Sequence, residues 1–153
     1  MTEFLKNPVI FEGRPDPKDI RQGMLGDCYF LAGLSALAEK PSRIFKLFNL
    51  VKVNEQNYYS VRILYKGKWV SIDLDDQATL WNQGLCFAAS KNDEIWVILL
   101  EKAWAKLYTS YARIVDGYPD EALHDLTGAP CFLYSTKLDT VNLWFRLLRS
   151  SQM

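Results

Sequence analysis

Cys28 is the residue in this 153-residue chain best placed to do covalent chemistry. It stands where the glycine-rich stretch RQGMLGD gives way to the apolar run CYFLAGLSALA. A cysteine in the first turn of a helix faces unpaired backbone N–H groups and the positive end of the helix dipole. Both favour thiolate over thiol, and the thiolate is the nucleophile. Gly23 and Gly26 allow a tight turn and leave room for a substrate to approach. The side-chain amide of Gln22, aimed at the same place, would join the backbone N–H of Cys28 as a second donor to a developing oxyanion. The competing reading is a cysteine that serves as a small core hydrophobe.

The elements that must hold these residues follow from the pattern. Residues 1–23, with their prolines, Gly13 and Gly23, read as an irregular lead-in lying on a surface. From residue 24 a single helix-rich domain follows to residue 153. The run from Cys28 is apolar on all sides until Glu39, as in a helix buried all round, with Asp27 as N-cap and Pro41 as a stop. YYSVRILY and WVSIDLD read as strands of a hairpin joined through Lys66-Gly67-Lys68. A long helix is expected from about Asp93 to Arg113. DGYPDEALHDLTGAP reads as a loop, and LDTVNLWFRLLRSS as an amphipathic helix beginning at Asp139. Trp96, Trp104, Tyr108 and Tyr111 recur at helical spacing, which marks core and interface residues.

The string QGMLGDCYFLA closely resembles the Q-G-x-L-G-D-C-[aromatic]-[apolar]-L-A signature of the calpains, cytosolic calcium-dependent cysteine proteases with a papain-like core. Tyr29 stands where tryptophan is more usual. GKWVSIDLDDQ, NDEIWVILLEKAWAKLYTSY and ALHDLTGA are similar to three further family motifs in the same order, with Ala122 and Ala129 replacing glycines. The resemblance implies an α+β fold, the first, helix-rich lobe of a papain-like proteinase with a small β-hairpin. It implies Cys28 as the nucleophile and Gln22 as the oxyanion donor. Gly117 matches a glycine whose backbone binds the extended substrate, although the preceding residue, usually glycine, is Asp116. Asp19 and Glu94 match the family's ligands for one calcium ion in this lobe. Hard oxygen donors of this kind, with carbonyls from a loop near Glu12 to Arg14, suit calcium.

A papain-like thiolate needs a histidine to pair with it and protonate the leaving amine, and an asparagine to orient that imidazole. These residues fall roughly 130–150 positions after the cysteine in the papain pattern. Counted from Cys28, that window lies beyond residue 153, on a second, strand-rich lobe that this chain is expected to lack. The single histidine, His124, reads as an exposed loop residue without a catalytic role. The chain alone is therefore expected to be inactive. Completed by a second lobe from a longer or separate chain, it would cleave protein substrates. The alternative is a stand-alone, catalytically inactive homologue that binds calcium or a partner.

Composition narrows the remaining classes. Eighteen basic residues balance eighteen acidic ones, which gives no electrostatic case for nucleic acid. The apolar run Cys28–Ala38 is too short to span a bilayer. The N-terminus lacks the pattern of a secretory signal. Three widely spaced cysteines suit a reducing compartment, with the cytoplasm as the expectation. They also lack the pair spacing of a zinc site. Cys86 and Cys131 lie in apolar surroundings and read as packed away, which leaves Cys28 as the accessible, acidified thiol.

Overall fold

A computed structural model describes residues 8–50, 58–82, 84–91, 93–135, 137 and 140–150. The fold mixes helices with small antiparallel β elements, as the first lobe of a calpain-type core should. Helix α1 (Cys28–Ala38) is central, followed by the short α2 (Pro41–Phe45). Strands β1 (Tyr58–Tyr65) and β2 (Lys68–Asp75) form a hairpin, and β3 (Leu80–Trp81) pairs with β4 (Gly84–Leu85). Helices α3 (Trp96–Leu107), α4 (Pro119–Thr127) and α5 (Thr140–Ser150) complete the order. No helix among the described residues is long and apolar enough to cross a membrane.

The hairpin follows directly from its residues. Tyr65 pairs with Lys68, which leaves Lys66 and Gly67 as a two-residue turn with φ of 50° and 76°. Positive φ at both positions gives the turn whose twist matches that of the strands. Alternation then places Tyr59, Val61 and Ile63 inward, facing Ile72 and Leu74 from β2.

Helix α1 differs from the expectation of burial on every side. Phe30, Leu31, Leu34 and Leu37 are buried, but Cys28, Ala32 and Ala36 form an exposed stripe one turn apart. The stripe consists of small residues, so hydrophobicity did not distinguish it from the core face. Phe30 stacks on Trp104 with ring centroids 4.8 Å apart, which ties α1 to α3.

Helix α3 is shorter at both ends than its apolar pattern suggests. Residues 93–95 pair instead with the lead-in, through Val9 N–H to Asp93 O at 3.0 Å and Ile95 N–H to Val9 O at 2.9 Å. At the other end, Thr109 adopts φ of 79°, which breaks the helix before the separate 3-10 turn Tyr111–Arg113. The pairing at Val9 also turns Ile10 into the core, where it is 2% exposed. The lead-in thus contributes to the core rather than lying wholly on a surface.

The segment expected to be a loop is helix α4. Pro119 occupies its first turn, Asp120 and Glu121 follow, and Gly128 ends it in the left-handed region at φ 73°. Each feature favours a helix end. Helix α5 matches the expected amphipathic tail, while the expected start at Asp139 lies outside the described residues.

Candidate active site

Cys28 opens α1 and is exposed. The helix begins with Phe30 and Leu31 N–H donating to the carbonyl of Asp27, at 2.9 and 3.2 Å. The carbonyl of Gly26 accepts from Asp116 N–H at 2.9 Å, which binds the 115–117 segment to the nucleophile turn. Asp116 itself has φ of 60°, a left-handed conformation that explains why glycine suits this position and costs aspartate roughly 1 kcal/mol. Gly117 lies over the ring of Tyr29. A Cβ on it would meet that ring at 2.6–2.9 Å, so packing alone requires glycine here. Tyr29 is fixed in turn, its hydroxyl accepting from Trp104 Nε1 at 3.1 Å.

On the other side of Cys28 the chain is held by segment 86–89. Arg21 and Ala89 exchange backbone hydrogen bonds of 2.9 Å each, and Met24 N–H donates to Cys86 O at 2.9 Å. Gly23 makes this approach possible. A Cβ there would lie 2.2 Å from the carbonyl oxygen of Phe87. The room that glycine provides at this position is therefore filled by the protein's own backbone. Gln22 is exposed, and its side-chain amide donates to Leu25 O at 2.9 Å. An amide nitrogen carries two N–H donors, so this bond leaves one available.

Asp27 is the residue before α1, but its side chain does not cap the helix. It is fully buried and turned toward the carboxyl of Glu101 on α3. Glu101 also escapes a reading of the sequence, because a glutamate inside a helix ordinarily reads as a solvent-facing charge. The available signal was its neighbours, since Trp96–Leu100 before it and Ala103–Ala105 after it are all buried.

Asp19 and Glu94 line one depression of about 260 Å³, together with Glu12, Asp16 and the cations Arg14, Lys18 and Lys91. Glu94 is 5% exposed and accepts from Glu12 N–H at 2.6 Å. Burial first, and the negative charge of Asp19 after it, push the Glu94 carboxyl above the usual range. A bound divalent cation would offset both, so the donor set fits calcium in chemistry. Asp19 presently accepts from Asp16 N–H at 2.9 Å. Among the described residues no three acidic, histidine or cysteine side chains form a ready metal cluster, so the other ligands would be backbone carbonyls.

His124 sits in the last turn of α4 rather than in a loop, and is partly buried with Nδ1 2.8 Å from Ala129 O. It lines an open depression of about 670 Å³ with Tyr65, Tyr108, Asp125 and Cys131, and Cys28 does not line it. Cys131 is exposed, not packed away, and Cys86 is half-buried. The chain turns away from the core after Gly128, which leaves Cys131 through Tyr134 at the surface.

Comparison with known proteins completes the description. The sequence pattern of the family described as "Calpain family cysteine protease" matches residues 1–153. The chain is 38% identical to the calpain-type cysteine protease DEK1 of Arabidopsis thaliana over 95% of its own length and 7% of that relative's. It is 33% identical to Calpain-A of Drosophila melanogaster, over 98% of the chain and 19% of the relative. Against Calpain-8 of Rattus norvegicus it is 33% identical, over 94% of the chain and 21% of the relative. The chain thus spans a small part of the length of these relatives.

Proposed function

The chain belongs to the calpain family of cysteine proteases, and from that premise we propose that it forms the nucleophile-bearing part of an endopeptidase active site. The observation that carries this reading is Cys28, exposed at the head of the one open stripe of an otherwise buried helix. In this mechanism the Cys28 thiolate attacks the scissile carbonyl of a protein substrate. The backbone N–H of Cys28 and the free N–H of Gln22 stabilise the oxyanion. Gly117, tied beside the nucleophile through Asp116, offers its backbone to the extended substrate. A histidine and an asparagine outside residues 1–153, on a second lobe packed along the Cys28–Ala32–Ala36 stripe, supply the proton transfer.

Asp19 and Glu94 would hold a regulatory calcium ion, which neutralises the charge gathered in their depression. Three free cysteines support a reducing, cytoplasmic setting. The test is a peptidase assay on the chain alone, and on the chain supplied with a histidine- and asparagine-bearing lobe. Turnover is expected only in the second case and should vanish in Cys28→Ala. Turnover by the chain alone that Cys28→Ala abolishes would show that a base within residues 1–153 serves the nucleophile.

A further inference from the structure

We propose that Asp27 and Glu101 share one proton across a buried carboxyl–carboxylate hydrogen bond, and that this pair is the positioning device clamping the Cys28 turn to α3. Both residues have no exposed surface. Neither Asp27 oxygen has a conventional hydrogen-bond donor. The Asp27 side chain instead bonds that of Glu101. Two ionised carboxylates are acceptors only, so this contact requires a proton on one of them. The Glu101 oxygens each lie 3.0 Å from Ala88 N–H, which fixes that carboxyl in place against the 86–89 segment.

The surroundings favour one proton over none. Among the described residues neither carboxyl has a cation within ion-pair distance, and neighbouring Lys102 turns to Asp75 and the carbonyl of Gln77. The other titratable groups around the pair are Tyr29 from α1 and Tyr111 from the turn after α3, with Asp75 and Cys86 beyond Tyr111. Burial raises both tyrosines, so they stay neutral and add no charge to the site. Burial, then the charge of Asp27, pushes Glu101 up to about 8, and burial also raises Asp27.

Three segments meet at this pair. Asp27 precedes the nucleophile, Glu101 belongs to α3, and Ala88 lies in the 86–89 segment that pairs with Arg21 and Met24. Loss of the shared proton would set two negative charges against each other in a dry site and release the turn. The role toward Cys28 rests on the proposed function. The shared proton does not.

The pH dependence has a definite sign. The folded chain keeps a proton on Glu101 that the unfolded chain releases near its ordinary value of 4.5. Folded stability therefore falls as pH rises from about 4.5 to about 8, and the decline ends above that.

Three measurements on the 153-residue chain test the proposal, and none needs peptidase activity. Infrared difference spectra should show a protonated-carboxyl band at neutral pH that fades through about 8. The melting temperature of the unmodified chain should drop by on the order of 10 °C across that window relative to Glu101→Gln. In that variant an amide replaces the shared proton, so the band component and the slope should both disappear. Asp27→Asn should do the same with the charge left on Glu101. Beside the inflection of the thiol itself, which all the chains share, the rate of Cys28 alkylation against pH should carry a second inflection near 8 in the unmodified chain that either variant lacks. A band and slope unchanged in a folded variant would overturn the shared proton. An alkylation profile identical in the chain and both variants would overturn the positioning role. If neither variant folds, the unmodified chain decides through the presence or absence of a carboxyl band that titrates near 8.

Discussion

Two exposed cysteines distinguish themselves by their surroundings, not by access. Burial and the nearby carboxylates Asp120 and Asp125 push the Cys131 thiol up. Cys28 instead stands in the first turn of an 11-residue helix, where the dipole favours an anion. Iodoacetamide at neutral pH is therefore expected to modify Cys28 faster than Cys131 by roughly threefold or more, with half-buried Cys86 slowest. Peptide mapping after limited labelling measures the order, and preference for Cys131 would refute the helix-terminus argument. Residue types alone pointed to Cys28, because glycines before it and an apolar run after it are both local signals. The same locality hid Asp27. An aspartate before a helix reads as a cap, and only the distant Glu101 reveals that it turns inward.

At the scale of elements, the nucleophile turn is held by close backbone approach. Gly23 has no unusual backbone angle to explain it, yet any side chain there would collide with the Phe87 carbonyl. Gly23→Ala is expected to destabilise the chain by about 2 kcal/mol or more, since the obstacle is backbone and segment 86–89 must move with it. Gly84→Ala, where the nearest atom is 3.8 Å away, should change stability by about 0.5 kcal/mol or less. Equal melting temperatures in the two variants would show that segment 86–89 yields freely. Helix α1 and the β1–β2 hairpin were legible because their ends carry local signals, a proline at Pro41 and a glycine at Gly67. Helix α4 was not, although Pro119 and Gly128 flank it. Clustered turn-forming residues outweighed their order, which is what separates a helix with both ends marked from a loop. The end of α3 had no such mark, because the left-handed Thr109 is a β-branched residue that nothing local assigns to that conformation.

Over the whole molecule, calcium binding would join the lead-in to the start of α3, since Asp19 and Glu94 come from those two places. A ligand selective for the folded chain stabilises it by mass action, about 2.7 kcal/mol at a hundredfold excess over Kd. Calcium should accordingly raise the melting temperature, and Asp19→Asn or Glu94→Gln should each remove most of that rise. A rise of equal size in both variants would remove the assignment. Arg14, Lys18 and Lys91 line the same depression, so their charge would work against a bound cation and weaken its affinity. The fold class was open to reading because four ordered motifs run collinear through the chain. The pairing in the depression was open to reading only through the resemblance, since 75 positions separate its two carboxylates and no periodicity connects them.

The contacts that surround Cys28 join distant parts of the chain. Arg21 exchanges backbone bonds with Ala89, and Tyr29 accepts from Trp104 across 75 positions. The β1–β2 hairpin, by contrast, closes over a turn of two residues. Closing long loops costs entropy before any contact repays it, so distant pairings form late. Refolding should therefore proceed in order, with hairpin amides such as Ile63 protected early and those of Arg21 and Met24 late. Pulsed hydrogen exchange during refolding measures that order. Protection of Arg21 and Met24 in step with the hairpin would mean that the two regions fold as one unit. On the expected order, the backbone pairings at Arg21 and Met24 that hold the Cys28 turn close after the hairpin has formed. A chain refolding in that order would pass through an interval in which the Cys28 sulfur is present but not yet framed by its neighbours.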